Sequence, residues 1–347
     1  MMATLAQLLH KTGRLLEAEV LLRRALDISE QTLEPEHPTI ATRLSNLAIL
    51  LHDTNRLREA EPLVRRALAI DERVLGSEHP DVAIRLNNLA QLLTDTNRYE
   101  EAEPLLRRAL TIFEQHYGSE HPKIARLLTN LAALLNDTNR ISEGEPLIRR
   151  ALAIDEENYG SSHPAIALDL NNLAMCLYDM NKLEEAEPLM RRSLAINEQS
   201  FGPTHPSVGI NLNNLALLLD ATGRYEEAEL LMRRSLLIEE QNHGSEHPNV
   251  AIQLSNLALL LKKTNRVEEA EPLVRQALNI LVKFAVATGH EHPLLLKTRT
   301  KYTTILRAMG QTEEEIKAKL DSIAVGLPLG KKGLQNDKSK FSSEQAE

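Results

Sequence analysis

The chain has 347 residues, a formal net charge of -9 at pH 7, 42% hydrophobic residues and 3% aromatic ones. The acidic balance excludes a general nucleic-acid binder, which needs a basic face. No apolar run approaches the ~18 residues of a membrane span, and the lone cysteine, Cys176, excludes a disulfide framework.

With no charged-then-apolar signal at its start, the chain reads as soluble and cytoplasmic. Trp is absent, so Leu and Ala must fill the interior. Taken in order, the sequence repeats. His-Pro pairs stand at His37-Pro38, His79-Pro80, His121-Pro122, His163-Pro164, His205-Pro206 and His247-Pro248, each 42 residues after the last. A seventh, His292-Pro293, comes after 45. A fixed period in this range means stacked supersecondary units.

The first unit, about 1–38, is short, since Met1 aligns with Arg43. Units follow at 39–80, 81–122, 123–164, 165–206, 207–248 and 249–293, the last with a three-residue insertion around Phe284 to Gly289. Residues 294–325 read as a capping helix pair, with Glu315 where other units have a packed Ala, and 326–347 as a disordered polar tail. Within the third unit, Leu86, Leu89, Ala90 and Leu93 mark one face of a first helix; Tyr99, Ala102, Leu105, Leu106, Ala109, Leu110 and Ile112 mark the second. Pro80 suits the first helical position.

Asn55, Asn97, Asn139, Asn181 and Asn265 share the turn between the helices with Gly13, Gly223 and Gly310. Both residue types accept the left-handed conformation that ends a helix. The same geometry is expected of Gly76, Gly118, Gly160, Gly202 and Gly244 after the second helix. Pro62, Pro104, Pro146, Pro188 and Pro272 lie inside second helices and predict a bend rather than a break.

The Leu-Ala pattern of Leu89-Ala90, Leu93, Tyr99, Ala102 and Ala109 resembles the tetratricopeptide repeat. With LNNLA, EAEPL, RRAL and GxxHP it is similar to the repeats of kinesin light chains, over about residues 1–293 and more weakly to 320. The resemblance implies an all-α, right-handed superhelical solenoid of antiparallel helix pairs. Its first helices would line a concave groove that binds an extended peptide segment of a partner protein. Kinesin light chains also carry an N-terminal heptad segment that docks on the motor chain. This sequence shows none, so a free-standing scaffold is expected rather than a motor subunit.

On the first helices one stripe stays free of the core: Thr42-Asn46-Ile49-Asp53, Ile84-Asn88-Gln91-Asp95, Arg126-Asn130-Ala133-Asp137, Leu168-Asn172-Met175-Asp179, Ile210-Asn214-Leu217-Ala221 and Ile252-Asn256-Leu259-Lys263. Asn46, Asn88, Asn130, Asn172, Asn214 and Asn256 offer a donor and an acceptor each, matching a peptide backbone. Ile84, Gln91, Arg126, Met175, Leu217 and Lys263 complete the candidate groove. The competing reading has each Asn bonding to the next repeat. The resemblance also implies acidic peptides held by basic groove positions, here Arg126, Lys262, Lys263, Lys301 and Arg307. The stripe's Asp53, Asp95, Asp137 and Asp179 are expected to pair with Arg56, Arg98, Arg140 and Lys182 in the turn.

The periodic histidines do not suggest a metal, since equivalent residues in adjacent units stand ~10 Å or more apart. The double arginines at 23-24, 65-66, 107-108, 149-150, 191-192 and 233-234 read as a paired outer face, because Glu61 and Glu103 precede Arg65 and Arg107 by four residues. Cys176 reads as a buried thiol. No catalytic constellation and no cofactor motif stands out, so the chain reads as a non-enzymatic scaffold without metal, cofactor, nucleic-acid or membrane partner. Two alternatives are a module that self-associates through its terminal repeats, starting from the Leu5, Leu8 and Leu9 face, and the sensor part of a larger signalling ATPase.

Overall fold

The computed structural model describes residues 5, 6, 8, 9, 14–288 and 292–324. Gly13, Gly289 and the tail expected at 326–347 lie outside them. Fifteen helices follow in order among the described residues: α1 (Leu15–Thr32), α2 (Pro38–Asp53), α3 (Leu57–Leu75), α4 (Pro80–Asp95), α5 (Tyr99–Tyr117), α6 (Pro122–Asp137), α7 (Ile141–Tyr159), α8 (Pro164–Asp179), α9 (Leu183–Phe201), α10 (Pro206–Ala221), α11 (Tyr225–His243), α12 (Pro248–Lys263), α13 (Val267–Thr288), α14 (Leu295–Ala308) and α15 (Glu313–Ala324). Every one is α-helical, and within each unit consecutive helices pack on one another, as in an all-α repeat solenoid. The chain falls into two compact units, 1–189 and 190–347.

The first helices α2, α4, α6, α8, α10 and α12 start the same way. Proline takes the first position, and the preceding histidine caps the helix with its ring. His79 Nδ1 accepts the Asp81 N–H at 3.1 Å, and His37, His121, His163, His205 and His247 repeat the bond. The acceptor nitrogen must be unprotonated, so the cap works with a neutral ring. Aromatic side chains ending the preceding helix stack on it, as Tyr159 does on His163 with ring centres 4.7 Å apart.

First helices end in a Schellman turn. Arg56 N–H donates to the Leu51 carbonyl and Asn55 N–H to that of His52, both at 2.8 Å. That closure needs a left-handed residue, and Asn55, Asn97, Asn139, Asn181 and Asn265 have φ between 58° and 61°. Asn97→Ala is expected to cost about 1 kcal/mol, because a Cβ is strained there, whereas Asn97→Gly should be close to neutral. Thermal unfolding of the two variants checks this. The glycines after the second helices differ from expectation. Gly118 has φ 82° and ψ 165°, which is not the left-handed helical basin but an extended one open almost only to glycine.

Second helices run unbroken through their prolines; α3 spans Leu57–Leu75 with Pro62 inside. They cross their partner helices at Ala60, Ala102, Ala186, Ala228 and Ala270, all fully buried. Gly144 takes this place in α7, where a Cβ would meet Asn136 Oδ1 at 2.7 Å and the Ala132 carbonyl oxygen at 3.1 Å. The three-residue insertion of the last full unit lengthens its second helix: α13 has 22 residues where α11 has 19. In the final pair, Glu315 closes a capping box. Its carboxylate accepts the Thr312 N–H at 2.8 Å, and Thr312 Oγ1 accepts the Glu315 N–H at 3.3 Å.

The outward side of the second helices is an ion-pair lattice, and the double arginines belong to it. Arg65 pairs with Glu61 and Arg107 with Glu103 one turn back. Arg108 reaches Glu72 of the previous second helix at 2.6 Å and the Ser77 carbonyl at 2.9 Å. Cys176 is fully buried.

Where a second helix meets the next first helix, two positions 14 residues apart oppose each other in the interior. Asp71 and Arg85 form an ion pair at 2.9 Å. Phe113 and Leu127 take the same places in an apolar junction. Asn197 and Asn211 bond amide to amide, and Asn211 also donates to Ser193 Oγ at 2.8 Å. Asp155 and Asp169 take these places at the junction of α7 and α8.

Candidate functional site

The candidate groove residues lie on the open side of the first helices, half-buried or exposed. In the unit spanning 1–189, Ile49 is 43% exposed and Leu168 60%, large apolar surfaces left to solvent. Ile84 and Met175 are half-buried, and Gln91 and Arg126 are exposed. A hollow of about 70 Å³ between α2 and α4 gathers Asn88 and Gln91 with Ala48, Ile49, His52 and Leu92.

The six asparagines are not equivalent. Asn130 Nδ2 donates to Asn87 Oδ1 of the preceding first helix at 2.8 Å. In the unit spanning 190–347, Asn256 donates to Asn213 at 3.1 Å, and Asn213 donates to Asn214 at 3.4 Å. Asn130 and Asn256 therefore follow the inter-repeat reading, while the bond to Asn214 stays within its own helix. Asn46, Asn88 and Asn172 have no hydrogen-bond partner among the described residues. The sequence reading missed the other half of this arrangement: the first Asn of two Asn-Asn pairs, Asn87 and Asn213, accepts the inter-helix bond. The doubled asparagine was the available signal.

The charges also differ from expectation. Arg56, Arg98 and Arg140 do not pair with Asp53, Asp95 and Asp137. Arg98 turns to the second-helix side, where it bonds Glu61 at 2.8 Å and Glu101 at 2.7 Å; Arg56 and Arg140 repeat this. The arginine precedes the second helix, so its side chain follows the outward face, where two glutamates converge. Asp95 instead meets His52 of the preceding first helix. Burial opposes charge on His52, but Asp95 and Asp53 outweigh it and hold its pKa above the usual value. Asp137 is held above the ordinary carboxyl range by burial and then by the charge of Asp95, and Asp179 by burial. Neither has an ion-pair partner among the described residues. Of the expected basic positions, Lys263 is neutralised by Asp220 at 2.6 Å and Arg307 by Glu313 at 2.7 Å. No group of three or more potential metal ligands occurs among the described residues. No described helix is long and apolar enough to cross a membrane.

The helix pairs, their capped turns and their stacked Leu-Ala core define the tetratricopeptide class of repeat. The tetratricopeptide repeat family model matches residues 1–73, 56–115, 86–157, 123–199, 167–238 and 221–281. The chain belongs to that family, and its repeats are of the kinesin light chain type. One similar solved structure is a Podosopora anserina protein described as a kinesin light chain, with nearly identical TPR-like repeats. It is 25% identical with a TM-score of 0.51, over 60% of this chain and 98% of that one. BtubC (BKLC) from P. vanneervenii is 23% identical with a TM-score of 0.55, over 69% and 94%. The apo form of RapI is 16% identical with a TM-score of 0.56, over 81% and 99%. A comparison with curated proteins finds no match.

Proposed function

We propose that the chain is a non-enzymatic scaffold that holds an extended segment of a partner protein against the first helices of its 1–189 unit. The carrying observation is the set of unengaged amides of Asn46, Asn88 and Asn172 beside exposed Ile49 and Leu168. Amides left open to solvent at one repeat position suit a ligand backbone, and the apolar neighbours suit its side chains. The unpaired Asp137 and Asp179 fit basic side chains on the ligand better than acidic ones.

The test uses the tightest binder selected from an extended-peptide library on the intact chain. Asn88→Ala and Asn172→Ala should each weaken it by about 2- to 10-fold, with the melting temperature unmoved. Asn130→Ala should instead lower the melting temperature, since it strands the Asn87 acceptor. Full affinity in the first two variants would reject the reading.

Self-association is a second reading, favoured by exposure at the start of the first unit: Leu5 49%, Leu8 59%, Leu16 81% and Val20 66%. Position 16 is polar in the later units, as Arg58, Glu100, Ser142, Glu184, Glu226 and Glu268. Sedimentation at rising concentration tests it; a strict monomer would dismiss it.

A further inference from the structure

We propose that the buried carboxyl pair Asp155–Asp169 is a proton-operated joint between α7 and α8, closed while the two side chains share a proton and loosened when the proton leaves. The residues are only 9% and 4% exposed, and their carboxyl groups lie close enough for each to perturb the other. One oxygen of each, Asp155 Oδ1 and Asp169 Oδ2, is buried without a hydrogen-bond partner. Two facing carboxylates repel, and a hydrogen between them is what satisfies both oxygens.

Three other junctions put complementary groups at these positions: Asp71 with Arg85, Phe113 with Leu127, Asn197 with Asn211. Only a proton can play that part between Asp155 and Asp169. From α6, Thr129 Oγ1 donates to Asp169 Oδ1 at 3.2 Å, a neutral group that cannot cancel charge. The charged groups the pair feels are each other and, for Asp155, His163 at the start of α8. Burial first and then the neighbouring carboxyl push Asp169 up to about 7, so the joint works near neutral pH.

Asp169 lies between Leu168 and Asn172 on α8, and its donor Thr129 precedes Asn130 on α6. Opening the joint would therefore displace that part of the candidate groove. This consequence rests on the peptide-binding reading; the joint itself does not.

Amide hydrogen exchange on the full chain tests the joint without any ligand. Between pH 6 and 8, after correction for intrinsic exchange, protection in α7 and α8 should fall about tenfold relative to α4 and α5. Asp169→Asn should abolish that fall, because its amide donates permanently to Asp155. Asp155→Asn must give the same flat profile and serves if the first variant does not fold. A parent protein without the fall, or a fall that persists in the variants, overturns the proposal.

Discussion

Arg85→Leu is expected to destabilise the 1–189 unit by about 3–5 kcal/mol, a large loss for one side chain. Asp71 is 2% exposed and Arg85 supplies its ion-pair partner at 2.9 Å. Even with that partner, burial holds the Asp71 carboxyl above its ordinary pKa, so the site charges the fold for desolvation. Removing the guanidinium leaves the cost and deletes the compensation. The double variant Asp71→Phe with Arg85→Leu copies the residues of the next junction, Phe113 and Leu127, and should recover most of the loss. Urea unfolding followed by circular dichroism gives the comparison. Equal losses in the single and double variants would mean that the pair is not what holds this junction.

Asp169→Asn should act in the opposite direction, raising stability at pH 8 by about 2–4 kcal/mol. The folded pKa of Asp169 is raised to about 7, with burial the main cause and Asp155 the second. A raised pKa means that the fold prefers the protonated group. Its stabilising contribution is complete below the unfolded value near 4, and is lost as pH rises through about 7. Parent and variant should therefore be close in stability at pH 4 and diverge toward pH 8. The cap of α12, His247, carries the other sign. Burial lowers its pKa, and the charge of His243 adds to that. Its contribution is whole above the unfolded value near 6.5 and falls away as pH drops toward the folded one. Melting temperatures of both proteins from pH 4 to 8 decide it; parallel curves would refute the pair's role.

Much of the local structure is legible in the residues. The Asn/Gly exchange at 55, 97, 139, 181, 223 and 265 announces a positive φ because few residue types tolerate it, and the structure has it at each. The proline after each histidine marks a helix start. The histidine's capping role was less visible, since its ring accepts a bond only from a backbone N–H two residues on, a feature composition does not advertise. The Asp53–Arg56 type of pairing failed for a geometric reason. Three residues separate the pair in sequence, but the helix turn sends one side chain to the first-helix face and the other to the second-helix face.

The chain by itself determined the period, the helix pairs, the turn conformations and the stripe on which Asn46 to Asn256 fall. These depend on contacts within a few residues, where spacing and residue type are sufficient. Tertiary structure decided which asparagines are engaged, which carboxylates lack partners and which side chains oppose each other at each junction. Those outcomes turn on hydrogen bonds near 3 Å between residues 14 or 43 positions apart, such as Arg85 with Asp71 and Asn130 with Asn87. A repeat pattern shows that such positions are equivalent. It does not show the small differences in neighbours that make one amide bonded and the next one free.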